Sequence, residues 1–178
     1  MVPGEIARPI PDRVKEALFN IIGTDIKEAT ILDMFAGTGS VGIEALSRGA
    51  AKATFIEMNR LALKTVRENL ALAGFTDQAT IIPGDAFRLL RGNAAHGFDY
   101  LYIAPPQYQG LWKDAIQALE QHTDWMNPDA WVIVQIHPRE YEELTLDVLN
   151  EFDQRKYGNT LLVFYEYIMK ETGREEGS

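Results

Sequence analysis

Three carboxylates and one pair of prolines stand where an α/β protein would place its chemistry. Asp33 closes the apolar run Thr30-Ile31-Leu32, Glu57 closes Ala53-Thr54-Phe55-Ile56, and Asp85 follows a third run at 79–82. After the first acid comes Ala36-Gly37-Thr38-Gly39-Ser40, the small residues that a tight strand-to-helix turn needs. Gly37 and Gly39 can take positive φ without a Cβ clash and let a ligand approach the backbone closely. In an open parallel sheet, ligands sit beyond the carboxyl ends of the strands, so an acid followed by a glycine turn marks a cofactor crevice.

Two cofactor chemistries fit the bare pattern. Gly37-x-Gly39-x-x-Gly42 matches a dinucleotide fingerprint, with Glu57 near the distance of a ribose-binding acid, and the glycines are also compatible with turn geometry alone. Asp33 separates the two. A carboxylate at the mouth of the first strand would repel a pyrophosphate, yet it could pair with the cationic amino group of S-adenosylmethionine. Glu57 could accept hydrogen bonds from both ribose hydroxyls, or act as the acid at a helix N-terminus. Asp85 could take an adenine amino group while the amide of Ala86 donates to a ring nitrogen, or it could cap a helix at 86–90; the two roles are compatible.

The fourth apolar run, 98–103, leads into Ala104-Pro105-Pro106-Gln107-Tyr108. Two prolines fix an extended turn and remove two amide donors, which leaves stiffly aimed carbonyls. Methyl transfer is an in-line displacement, in which positioning of the nucleophile can be worth ~7 to 11 kcal/mol of barrier. The first and fourth strands would be neighbours across the topological switch point, so this loop lies where an acceptor would meet a methyl group.

The elements that must position these residues are readable from periodicity. Val14, Leu18, Ile21 and Ile22 share helical spacing ahead of Gly23, with Arg8 and Arg13 flanking the helix start. The arginines read as solvated, or as facing substrate phosphate or the cofactor carboxylate. Helices are expected at 40–47, 59–73, 111–121 and 141–149, a buried fifth strand at 130–136, and a hairpin turn at 155–160 before a last strand at 161–167. Trp112 reads best as packing. The expected domains are an arm and helix at 1–23, a main domain at 24–169 and a disordered polar tail at 170–178.

Composition narrows the partners. A chain of 178 residues with 46% hydrophobic content can bury one domain core, and its net charge of -9 argues against gripping naked nucleic acid by charge alone. There is no cysteine, and three histidines, His96, His122 and His137, lack ligand spacing, so no metal is expected. Neither a signal core nor a transmembrane run is visible, and a cytoplasmic location without a membrane partner is expected.

The array Arg8-Pro9-Ile10-Pro11-Asp12-Arg13-Val14-Lys15-Glu16-Ala17-Leu18-Phe19-Asn20, then Asp33-Met34-Phe35-Ala36-Gly37-Thr38-Gly39-Ser40, Glu44-Ala45-Leu46-Ser47-Arg48-Gly49-Ala50 and Phe55-Ile56-Glu57, resembles the RsmD-type 16S ribosomal RNA (guanine-N2)-methyltransferases from Arg8 to about Glu166. The resemblance implies a Rossmann-like class I methyltransferase fold: a seven-stranded, mostly parallel sheet with an antiparallel terminal hairpin and helices on both faces. It implies S-adenosyl-L-methionine as donor and a guanine amine in 16S ribosomal RNA as acceptor; the acidity of the chain points to a small-subunit particle as the form in which that RNA is met, and a monomer is expected. Asp33, Ala36, Gly37 and Gly39 would hold the methionine moiety, Glu57 and Met58 the ribose side, and Asp85 with Ala86 the adenine. Ala104, Pro105, Pro106, Gln107 and Tyr108 would form the catalytic loop, and Arg8, Arg13 and Tyr108 would meet substrate.

Two departures stand out. The family's basic β-hairpin ahead of the Arg-Pro motif is not fully contained here, so part of that RNA-docking surface is expected to be lacking. The family loop is Asp-Pro-Pro followed by an aromatic, whereas Ala104 has no group to accept from the target amine and the ring of Tyr108 comes one residue late. A prolyl-loop carbonyl or the Gln107 side chain is then the expected acceptor, with Tyr108 or Trp112 as the stacking face. An amine of another nucleic acid, such as DNA adenine, or a catalytically silent cofactor-binding homologue remains as an alternative.

Overall fold

Short apolar runs that alternate with amphipathic helices build one layered sheet, and the computed structural model describes residues 9–170 of the chain. Arg8 and the tail at 171–178 lie outside the described residues. The strands are β1 (Thr30–Asp33), β2 (Lys52–Glu57), β3 (Ala79–Pro83), β4 (Phe98–Ile103), β5 (Met126–Ile136), β6 (Leu149–Tyr157) and β7 (Thr160–Tyr167). They form a seven-stranded sheet in the order β3-β2-β1-β4-β5-β7-β6. Strands β1 to β5 are parallel, and β7 runs antiparallel to both β5 and β6. The chain order reverses between β1 and β4, which is where an open sheet of this kind binds its ligand.

Among the described residues five α-helices cover the two faces: α1 (Asp12–Ile22), α2 (Ser40–Ser47), α3 (Arg60–Ala73), α4 (Ala86–Leu90) and α5 (Leu111–Gln121). Because side chains alternate along a strand, Ile31, Phe55, Tyr102 and Ile133 pack beneath α1, α2 and α3 through Leu18, Phe19, Ala45 and Val66. Leu32, Ile56, Leu101 and Val132 pack beneath α4 and α5 through Leu90, Trp112, Ile116 and Leu119. Trp112 is 2% exposed and stacks on Tyr141, so it cannot offer a face to a base. None of the described helices is long and apolar enough to cross a membrane.

The helix expected at 141–149 does not form. Residues 141–148 contain no helix, and Leu149 already belongs to β6. Leu144, Leu146 and Val148 pack on the core with a period of two, the spacing of an extended chain. The carboxylate of Glu120 on α5 accepts hydrogen bonds from the successive amides of Asp147, Val148 and Leu149 at 3.0 to 3.2 Å, taking the place of helical partners. The fifth strand also starts earlier than expected, at Met126, pairing there with Phe98 before an irregularity in register.

Candidate active site

The glycine turn between β1 and α2 is shaped by conformation and by crowding. Gly37 and Gly39 have φ of 58° and 80°, and Gly39 stands as the residue ahead of α2. Gly42 serves another purpose: a Cβ there would lie 2.3 Å from the Phe55 ring, so α2 can pack on β2 only without one. The turn is pinned from both sides, by Ala36 N–H donating to the carbonyl of Ile56 at 3.0 Å and by Asn69 Nδ2 on α3 donating to that of Thr38 at 3.0 Å.

At the carboxyl edge of the sheet these elements enclose a crevice with two lobes. One, about 200 Å³, is lined by Asp33, Ala36, Gly37, Ser40, Tyr102 and Ala104, with Pro9 and Ile10 closing it from the chain ahead of α1. The other, about 470 Å³, is lined by Glu57, Met58, Gly84, Asp85, Ala86, Pro106 and Gln109. Phe35 and Asn59 line both. Of the three carboxylates singled out from sequence, Asp33 lines the smaller lobe and Glu57 and Asp85 the larger, at or just past the ends of β1, β2 and β3. Gly39, Pro105, Gln107 and Tyr108 lie outside both linings, and Arg13 is an exposed residue of α1.

Asp33 is 2% exposed, and its Oδ1 is buried without a hydrogen-bond partner. Burial, followed by the charge of Glu57, pushes its carboxyl up to about 7, while the amides of Gly42 and Phe35 pull the other way. Burial likewise raises Glu57, against the amides of Gly37, Asn59 and Met58. A buried carboxylate with an unpartnered oxygen at the mouth of a strand is suited to a cation, and it is a poor neighbour for a phosphate. Asp85 caps α4, its Oδ1 accepting from Phe87 N–H at 2.9 Å. Asn59 caps α3 in the same way, accepting from Ala62 N–H at 3.0 Å.

Several residues of the site escaped the sequence reading. Lys15 crosses from α1 to donate from Nζ to Ser40 Oγ at 3.0 Å, placing a cation at the N-terminus of α2. Helix N-termini repel cations and attract anions, so this pairing favours an anionic group of a ligand. Tyr102, one wall of the smaller lobe, donates its hydroxyl to Gln135 Oε1 on β5, while Gln135 Nε2 is buried without a partner. Burial, then the charge of Asp33, holds the Tyr102 hydroxyl well above its ordinary range. Glu140, after β5, accepts from the backbone N–H of Tyr108 at 2.6 Å. Among the described residues no group of three or more His, Cys, Asp or Glu could hold a metal ion.

Comparison with known proteins places this arrangement. The chain is 33% identical over 168 residues to a Bacillus subtilis protein named "Putative rRNA methyltransferase YlbH", covering 93% of this chain and 90% of that one. It is 38% identical over 131 residues to ribosomal RNA small subunit methyltransferase D of Haemophilus influenzae, covering 72% of this chain and 67% of that one. Among solved structures, the Escherichia coli protein titled "Putative methyltransferase yhhF" superposes with a TM-score of 0.82 at 30% identity, covering 90% of this chain and 88% of that one. The family described as Conserved hypothetical protein 95 matches residues 1–166, and the chain belongs to that family.

Proposed function

We propose that the chain is an S-adenosylmethionine-dependent methyltransferase that modifies the exocyclic N2 amine of a guanine in 16S ribosomal RNA, working in the cytoplasm as a monomer on a small-subunit particle. The observation that carries this reading is the buried Asp33 carboxylate, its Oδ1 without a partner, in the lining of the crevice at the switch point. It fits the donor's ammonium, and Lys15 with the N-terminus of α2 fits the donor's carboxylate. Ala36 and Gly37 border the space for the methionine arm, and Gly39, outside the lining, serves by the left-handed turn that leads into α2. The larger lobe takes the adenosine: Glu57, beside Met58, accepts from the ribose hydroxyls, and Asp85 offers its second oxygen to the adenine amino group next to Ala86.

The donor, held by these residues, would supply an electrophilic sulfonium methyl; transfer in line to the guanine amine would leave the C–S electron pair on the sulfur of S-adenosylhomocysteine and release one amine proton to solvent. Ala104 lines the smaller lobe and Pro106 the larger, so the acceptor enters at the bend between them. The amine is neutral and needs no prior deprotonation, so a hydrogen-bond acceptor that turns its lone pair is sufficient. A prolyl-loop carbonyl or the Gln107 oxygen serves as that acceptor. Tyr108, 63% exposed, supplies the stacking face, and Arg13, with Arg8 ahead of it, meets phosphate. An acidic chain benefits from a preformed ribonucleoprotein surface.

Transfer of labelled methyl to immature small subunits, free 16S RNA and DNA, followed by nucleoside analysis, tests the reading. N2-methylguanosine recovered from the subunits is expected. Label in DNA adenine, or donor binding with no transfer to any acceptor, would overturn it. Gln107→Ala is expected to lower turnover with donor affinity intact; unchanged turnover removes Gln107 from the chemistry.

A further inference from the structure

The acceptor loop between β4 and α5 is tied to the turn after β5 by one carboxylate. Glu140 Oε1 accepts from Tyr108 N–H at 2.6 Å, and Glu140 Oε2 accepts from His137 N–H at 2.7 Å. Both are charge-assisted and short, the strong class of protein hydrogen bond. What they hold is otherwise unfavourable: Tyr108 has φ of 60°, a left-handed conformation that a bulky L-residue seldom adopts. The turn that carries Glu140 is itself fixed, with Pro138 at its start and Arg139 N–H donating to His137 Nδ1 at 3.0 Å. That bond makes Nδ1 an acceptor and so orients the imidazole. The rings of Tyr108 and His137 stand 6.0 Å apart at 40° to one another.

We propose that Glu140 is the positioning residue of the acceptor site: by clamping the backbone of Tyr108 to the turn after β5, it holds the Tyr108 and His137 rings as a fixed aromatic corner against which the acceptor base stacks. The inference rests on the reading of Tyr108 as the stacking face. Glu140 touches neither donor nor base and acts through the backbone it holds. The corner is assembled before substrate arrives, so the base does not have to order the loop on binding.

The test is steady-state methyl transfer by the full chain to small-subunit particles, with Glu140→Ala and Glu140→Gln beside the parent. Glu140→Ala is expected to raise the acceptor KM by about tenfold or more, a size consistent with misplacement of a substrate-positioning group. Donor affinity should stay near the parent's, and Tm should fall by no more than a few degrees. Glu140→Gln, which keeps one acceptor oxygen, should fall between. In amide NMR, the downfield Tyr108 and His137 protons should move upfield together in Glu140→Ala. A parent that transfers normally and a Glu140→Ala variant with unchanged acceptor KM would overturn this inference alone. A parallel loss of donor affinity would overturn it too, by making Glu140 a general structural support. A parent that transfers to no acceptor would overturn both this and the proposed function.

Discussion

Asp33 gives the site its pH dependence. Its carboxyl sits at about 7 in the folded protein against an ordinary 3.8, so between those values the folded chain holds a proton that the unfolded chain has lost. Through this group, stability falls as pH rises from about 4 to 7 and levels off above, because the raised acid is the destabilising ion. Donor binding has the opposite sign. The ammonium needs Asp33 ionised, so donor affinity should climb as pH approaches 7 and decline above about 8, where an α-amino group loses its proton. Calorimetry across pH 5.5 to 9 checks this, and a flat profile would remove Asp33 as the ammonium partner. Asp33→Asn should weaken the donor by at least about a hundredfold and erase the rising limb, in line with the ~3 to 5 kcal/mol of a broken buried pair. Asp33, Glu57 and Asp85 were legible because each ends an apolar run ahead of a turn. Lys15 was not, since a lysine on the polar side of an amphipathic helix carries no mark of where that helix will cross the sheet.

At the scale of elements, close packing and amide satisfaction decide what the sequence permits. Gly42→Ala forces a Cβ into the Phe55 ring and should destabilise by about 1 to 3 kcal/mol, the usual range for overpacking. Thermal unfolding reads it, and an unchanged Tm would mean that α2 is free to shift from β2. Glu120→Ala removes the acceptor for three consecutive amides and should lower stability by about 1 to 3 kcal/mol. A denaturant midpoint equal to the parent's would show that water satisfies those amides equally well. The five parallel strands and five helices followed from apolar periods, and the hairpin from Gly158 and Asn159. The misread stretch at 141–149 mixes charged residues with Leu144, Leu146 and Val148. Its period of two was present in the sequence, but the partner that stabilises it, Glu120, lies far away in the chain.

Over the whole molecule the charge is unevenly placed. Asp25, Glu28, Asp99, Asp129 and Glu166, against Lys27 as the single cation among the described residues there, surround a hollow at the amino-terminal edge of the parallel strands, away from the crevice. The hairpin joining β6 to β7 lies at the carboxyl edge: Lys156 pairs with Leu161, which pairs with Ile136 at the end of β5. Exposed Arg155 and Lys156 therefore share the rim with the acceptor loop. Under the proposed function, Lys156→Glu should weaken capture of the small-subunit particle and lower the salt dependence of binding by about one unit of slope. Equal affinity and slope would place the RNA elsewhere. The net acidity was legible, whereas this arrangement was not, because it depends on which strand ends meet in the finished sheet.

The most direct measurement is a crystal structure of the chain with S-adenosyl-L-homocysteine. The account predicts the ligand amino group on the Asp33 carboxylate, the ribose hydroxyls on Glu57, the adenine beside Asp85 and Ala86, and the sulfur facing the bend at Pro105 and Pro106. A ligand seated elsewhere, or an amino group turned away from Asp33, would contradict it.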